Sequence, residues 1–164
     1  MKYIYGLNKS GNSIINYLEK NNESYCCWDD NIKIRIKLKK NNHRILFKKP
    51  NNLDFNLVKE AFITPGISLL DNKIKILKKN KIKLFRDLEL YSRIIKNQKI
   101  IAVTGTNGKS TTTKLISDIL ERNCIKNFLG GNIGIPLINF IKKNNKIKYH
   151  VVELSSFQLE SVKS

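Results

Sequence analysis

Apolar residues recur along this chain in two alternating rhythms, short runs and helical repeats. Tyr3-Ile4-Tyr5-Gly6-Leu7 is a short apolar run that ends in a glycine turn, and Ile14, Ile15 and Leu18 follow at helical spacing within 13–20. Residues 24–28 form a second strand pattern, closed by Asp29-Asp30. The stretch Ile32-Lys33-Ile34-Arg35-Ile36-Lys37-Leu38 alternates strictly between apolar and basic residues, which predicts a half-buried strand with 44–47 as its partner. Ala61-Phe62-Ile63 is a strand stub stopped by Thr64-Pro65-Gly66, strong turn chemistry. Ile74 and Leu77 predict a helix from Asp71, 82–85 a strand, and 87–95 a helix with Leu88, Leu90, Tyr91 and Ile94 near one face.

Lys96-Asn97-Gln98-Lys99 is polar and reads as a domain boundary, dividing the chain into 1–96 and 97–164. Beyond it a second series begins: strand 100–104, helix 109–122, strand 126–129, helix 136–142, strand 148–153 and the start of a helix at 157–164. Alternation at this spacing predicts an α/β fold of parallel sheets with helices on both faces.

Charge changes this picture little. The 164 residues hold 31 Lys+Arg against 13 Asp+Glu, a formal net charge of +18. Most of the cations are lysines scattered among Asn and Ile, with no Arg-rich helix face or stacking aromatics, so they read as solvated surface and no nucleic-acid partner is expected. Their field still favours anionic nucleotides. Cys26, Cys27 and Cys124 are odd in number and lack CxxC spacing; they read as core thiols of a reducing compartment. No apolar run approaches the ~18 residues of a membrane span, and the N-terminus is too short for a signal segment, so a cytoplasmic protein is expected. His43 and His150 have no partner at ligand spacing and read as ordinary loop or strand-edge residues.

Candidate chemistry concentrates at Gly105-Thr106-Asn107-Gly108-Lys109-Ser110-Thr111, between a buried-type strand (Ile100-Ile101-Ala102-Val103) and a helix whose expected apolar face is Leu115, Ile116, Ile119 and Leu120. This is the context a phosphate loop needs. Glycines turn backbone N–H groups toward phosphate oxygens, and the helix N-terminus adds partial positive charge. Lys109 can reach the β- and γ-phosphates of ATP, and the Ser110 hydroxyl can ligate Mg²⁺. The general G-x-x-x-x-G-K-[ST] pattern is not met in full, because Val103 stands where its first glycine would be.

Thr104-Gly105-Thr106-Asn107-Gly108-Lys109-Ser110-Thr111 resembles the ATP loop of the Mur ligases, which add amino acids to the peptide of bacterial cell-wall precursors. Gly130-Gly131-Asn132-Ile133-Gly134-Ile135-Pro136 and Glu153-Leu154-Ser155-Ser156-Phe157-Gln158-Leu159-Glu160 are similar to the D-glutamate-adding members. Thr64-Pro65-Gly66-Ile67 and Asp87-Leu88-Glu89-Leu90 fit the same members upstream. The resemblance implies a Rossmann-like UDP-binding domain over 1–96, followed by an incomplete P-loop ATPase-type parallel α/β domain over 97–164. It further implies a monomer whose substrates are ATP, UDP-N-acetylmuramoyl-L-alanine and D-glutamate. The substrate carboxylate attacks the γ-phosphate to give an acyl phosphate, which the amine of D-glutamate then displaces.

By position in these motifs, Gly105, Thr106, Asn107, Gly108, Lys109, Ser110 and Thr111 would hold ATP, and Ser110 and Glu153 the metal. Lys109, Asn132 and Glu153 are the implied catalytic residues, and Lys9, Ser10, Asp29, Asp30, Asn132, Ser155 and Gln158 the implied substrate contacts. Helix capping by Ser155 or Ser156 is the plainer reading of that pair. In Gly6-Leu7-Asn8-Lys9-Ser10-Gly11 the middle glycine of a dinucleotide-type turn is replaced by Asn8, where unusual backbone angles are a concern. The family holds further strands, a third domain and metal ligands that find no place in this sequence. A chain inactive by itself and marginally stable in its second half is therefore expected; D-glutamate-dependent phosphate release by the purified chain would overturn this. A non-catalytic UDP- or ATP-binding remnant, a nucleic-acid binder and another Mur ligase are the alternatives.

Overall fold

A computed structural model describes residues 1–95, 98–132, 137–142 and 147–159. The chain divides into two compact units, Met1–Asp87 and Leu88–Ser164. The division falls ahead of the polar stretch at 96–99, of which residues 96 and 97 lie outside the described part.

The first unit contains β1 (Lys2–Tyr5), α1 (Lys9–Lys20), β2 (Tyr25–Trp28), α2 (Ile32–Asn41), β3 (Glu60–Ile63), α3 (Asn72–Lys79) and β4 (Lys83–Phe85). The four strands are all parallel, in the order β2-β1-β3-β4. This is the flavodoxin-type variant of the doubly wound order, with its switch point between β1 and β3. A parallel sheet covered on both faces needs strands that are apolar throughout, and Tyr3, Ile4 and Tyr5 are all fully buried. Tyr3, Tyr5, Cys26, Ala61 and Ile63 join Ile74 and Leu77 of α3 in one core cluster, while α1 buries Ile14, Ile15 and Leu18. Burial pushes the Cys26 and Cys27 thiols up to about 11 and 12; Cys124, by contrast, is exposed and is no core thiol.

Residues 32–41 correct the expected strand: they form helix α2. The Asn31 side chain accepts a hydrogen bond from the Lys33 amide, capping the helix N-terminus. Read at helical period, Ile34 and Leu38 share the inner face, while Ile32 and Ile36 are 59% and 50% exposed. The free edge of β2 pairs instead with 46–48, through Cys27 N–H to Leu46 O and Lys48 N–H to Cys27 O.

The second unit contains β5 (Lys99–Val103), α5 (Lys109–Arg122), β6 (Asn127–Gly131), a 3-10 helix at Leu137–Lys142, β7 (Tyr149–Glu153) and α6 (Ser156–Leu159), with most of α4 (Asp87–Ile94) before them. The three strands are parallel in the order β5-β7-β6, so the last strand in sequence is central. The expected helix at 136–142 is a 3-10 helix over its described residues; Pro136 and residues 160–164 lie outside them.

Helix α5 corrects a second expectation. Leu115 and Ile119 are 58% and 50% exposed, whereas Thr113 and Ser117 are buried against the sheet. Both hydroxyls are satisfied, by Lys109 O at 2.7 Å and by Asn127 Oδ1 at 2.7 Å. Small side chains let the helix approach closely, and the hydrogen bonds remove the cost of burying them.

His150 is the third correction. It lies on the central strand, fully buried, among Phe128, Phe140 and Tyr91. The Tyr91 hydroxyl is hydrogen-bonded to its Nδ1. Burial lowers the imidazole pKa to about 4, against a smaller upward pull from the Ile147 backbone. An unfolded chain, with a pKa near 6.5, binds the extra proton first as pH falls. The unit therefore loses stability between about pH 6.5 and pH 4, by on the order of 3 kcal/mol. The protection of amides 149–153, taken relative to the intrinsic exchange rate at each pH, should fall as pH drops through that window, and His150→Phe should flatten the dependence.

Candidate functional site

Each sheet places a turn at the carboxyl end of its first strand, and the candidate residues gather at those two turns. In the first unit the chain leaves β1 at Gly6 and enters α1 at Lys9. Gly6 N–H donates to Trp28 O at 2.8 Å. Leu7 N–H donates to Asp29 Oδ2 at 2.6 Å, and Asn31 N–H to Asp29 Oδ1 at 2.8 Å. Asp29 is thus a buried brace of the turn. Asn8 has φ −66°, an ordinary angle, so replacing glycine there imposes no backbone penalty. Its side chain does not cap α1, which leaves the first-turn N–H groups around Lys9 and Ser10 without a side-chain cap. Gly6 allows a close approach: a Cβ there would lie 2.0 Å from Thr64 Oγ1.

Asp30 is differently placed, half-exposed beside a cavity of about 290 Å³ lined by Trp28, Lys49, Pro50, Asn51 and Lys73. It accepts hydrogen bonds from Tyr5 Oη at 2.7 Å, Trp28 Nε1 at 3.0 Å and Lys73 Nζ at 2.5 Å. Partial burial pulls its pKa upward, but these donors outweigh it, and the carboxyl stays below its usual range. The Arg35 guanidinium lies over the Trp28 ring, 4.0 Å from its centroid. Sequence reasoning missed Trp28, Arg35 and Lys73; only the helical reading of 32–41 brings Arg35 back toward β2.

In the second unit the loop after β5 enters α5 through Gly108, which has φ +75°. Lys109 Nζ donates to its own loop, to Gly105 O at 2.6 Å and Thr106 O at 2.9 Å. Ser110 Oγ donates to Glu153 Oε2 at 2.7 Å, and Asn132 Nδ2 to Glu153 Oε1 at 3.1 Å. Glu153 is the last residue of β7 and only 2% exposed. Gly131 makes this junction possible: its φ is +116°, and a Cβ would lie 2.2 Å from Glu153 O. Asn132 N–H donates to that same oxygen at 2.9 Å. The structure thus brings Lys109, Ser110, Asn132 and Glu153 to one strand-end cluster; residues 133–136 of the adjoining motif lie outside the described part.

Ser155 and Gln158 satisfy each other. Ser155 N–H donates to Gln158 Oε1 at 3.0 Å, and Gln158 N–H to Ser155 Oγ at 3.3 Å. This is the reciprocal capping box of a helix start.

Among the described residues no cluster of three or more His, Cys, Asp or Glu forms a metal cage. A hard-oxygen set of one carboxylate and one hydroxyl does fit Mg²⁺, which keeps waters and takes phosphate oxygens as its other ligands. Among the described residues no helix is long and apolar enough to cross a membrane.

These features have counterparts in known proteins. Residues 103–164 match the Mur ligase middle domain. The chain is 37% identical to a UDP-N-acetylmuramoylalanine--D-glutamate ligase of Wolbachia sp. subsp. Brugia malayi, over 97% of this chain and 32% of that protein. It is 38% identical to the protein of the same name from Rickettsia prowazekii, over 98% of this chain and 35% of that one. The chain therefore spans about a third of the length of the curated relatives it matches. In fold it is similar to the crystal structure of a murein peptide ligase from Psychrobacter arcticus, with a TM-score of 0.53 and 18% identity, covering 95% of this chain and 38% of that one.

Replacing Gly131 by Ala should destabilise the second unit by about 2–4 kcal/mol, measurable by urea titration, because the new Cβ meets the Glu153 backbone. With its Gly105–Lys109–Ser110 turn and buried Glu153, the second unit matches the Mur ligase middle domain over residues 103–164, and the chain is similar to D-glutamate ligases over nearly its whole length.

Proposed function

We propose that this chain carries the UDP-binding and ATP-binding turns of a ligase that adds D-glutamate to UDP-N-acetylmuramoyl-L-alanine at the expense of ATP. The observation that carries the reading is the Ser110–Glu153–Asn132 cluster beside the 105–111 loop. Two anions, a triphosphate and a carboxylate, must be brought together in such a reaction, so cations and N–H donors must balance them.

In this reading 1–96 acts as the UDP-binding domain and 97–164 as part of the ATP-binding domain. The amides of Gly105, Thr106, Asn107, Gly108 and Thr111 cradle the triphosphate, and Lys109 turns from its loop carbonyls to the β- and γ-phosphates. Ser110 and Glu153 hold Mg²⁺, which when bound neutralises charge on the phosphate oxygens. Asn132, held by Glu153, orients the carboxylate to be activated. Lys9 and Ser10, at the open start of α1, receive the diphosphate of the UDP moiety. Asp30, at the pocket rim, faces the nucleoside, with Asp29 shaping the turn beneath. Ser155 and Gln158 flank the same substrate while capping α6. The location that suits these substrates is the cytoplasm, and the reading takes the chain as a monomer without nucleic-acid or membrane partners.

Calorimetric titration of the 164-residue chain with ATP and magnesium tests this reading. Binding should weaken roughly 10- to 100-fold in Lys109→Ala, the scale of lost charged hydrogen bonds. In Glu153→Gln the gain in affinity that magnesium brings should disappear. Wild-type protein that ignores ATP-Mg would sink the proposal.

A further inference from the structure

We propose that Arg86 is a positioning residue for the ligand crevice of the first unit, holding the 64–67 turn in place as one wall. The proposal rests on the reading of 6–11 as a UDP-binding turn. In a doubly wound sheet, ligands sit outside the carboxyl ends of the strands at the switch point. Here that point lies between β1 and β3. The turns that leave those two strands are 6–11 and 64–67.

The two turns interlock with no spare room. Thr64 N–H donates to Tyr5 O at 3.1 Å, and the Thr64 hydroxyl donates to the same oxygen at 3.3 Å. The space that a Cβ on Gly6 would need is filled by Thr64 Oγ1, at 2.0 Å, and crowded by Ile67 Cγ1, at 3.1 Å. A shift of the 64–67 turn therefore moves the floor under 6–11, or opens a gap beside it.

Arg86 fixes that turn from below. It directly follows β4, is 6% exposed, and its Nη1 donates to Thr64 O at 2.6 Å and Ile67 O at 3.0 Å. A longer contact of 3.4 Å reaches Ile63 O. The acceptors are the last residue of β3 and the two ends of one turn. A buried guanidinium carries a large desolvation cost; here its Nη1 converges on three backbone carbonyls and so ties the end of β3 to both ends of the turn. None of the motifs that mark the family resemblance includes Arg86; its turn-holding contacts emerge only from the fold.

A general stabiliser of the unit and a positioning residue differ in where their loss is felt. In the full chain, Arg86→Met should weaken UDP binding roughly tenfold or more, the scale of a misplaced binding loop. Amide exchange should accelerate at 6–11 and 64–67, with α1 beyond its first turn and α3 unchanged. Arg86→Lys, which keeps the charge but has a shorter reach and a non-planar head, should show the same local pattern with about a threefold loss. It also decides the matter if the Met variant fails to fold. Unaltered UDP affinity in a folded variant with native exchange at 64–67 would overturn the proposal, as would acceleration spread evenly over 1–87. If wild-type chain does not bind UDP, the functional reading of 6–11 falls, and exchange alone decides Arg86. Acceleration confined to the two turns upholds its role, and any other pattern removes it.

Discussion

A single buried carboxylate organises the second unit. Glu153 ends the central strand, and each of its oxygens is taken by a neutral donor from a different element: the hydroxyl at the start of α5 and the amide just after β6. A carboxylate withdrawn from water has to be hydrogen-bonded, so the ends of β6 and β7 and the N-terminus of α5 are obliged to converge. Gly131 follows from the same demand, because no side chain fits between it and the Glu153 backbone. The 105–111 loop is thereby fixed at the end where a parallel sheet receives ligands.

The first unit reaches a comparable arrangement by other means. There the carboxylate of Asp29 braces the turn through two backbone N–H groups, and the neighbouring turn leans on Gly6. In both units an acid at a strand end hydrogen-bonds the neighbouring turn and so constrains its shape. Preorganised donors of this kind lose little freedom on binding.

Much of this was legible in the sequence, because the relevant signals are local. Thr64-Pro65-Gly66, Gly105 to Thr111 and the capped start at Asp71 declare turns and helix ends through a few consecutive residues. The failures share a cause. Residues 32–38 have the period of a strand, but the edge of β2 was already occupied by 46–48, and the Asn31 cap tipped lysine-rich sequence into a helix. The apolar residues Leu115 and Ile119 suggested the wrong face of α5, because close packing on the sheet favoured Thr113 and Ser117. His150 looked like a strand-edge residue because nothing in a sequence says that the last strand of a series becomes the middle one. Arg86 carried no signal at all, since its acceptors are backbone carbonyls about twenty residues upstream.

The way Lys109 rests on Gly105 O and Thr106 O has a consequence for energetics. An anion entering the loop does not meet a waiting cation; it displaces an internal one. In the proposed role association is then an exchange, in which two ammonium–carbonyl bonds break as ammonium–phosphate bonds form. The net gain is smaller than the gross attraction. The displaced carbonyls must find water or metal-bound water in their turn, so the loop satisfies its own lysine and sets a threshold. In the proposed ATP-binding role, a ligand with several negative charges at the position of the β- and γ-phosphates crosses that threshold more readily than a singly charged anion.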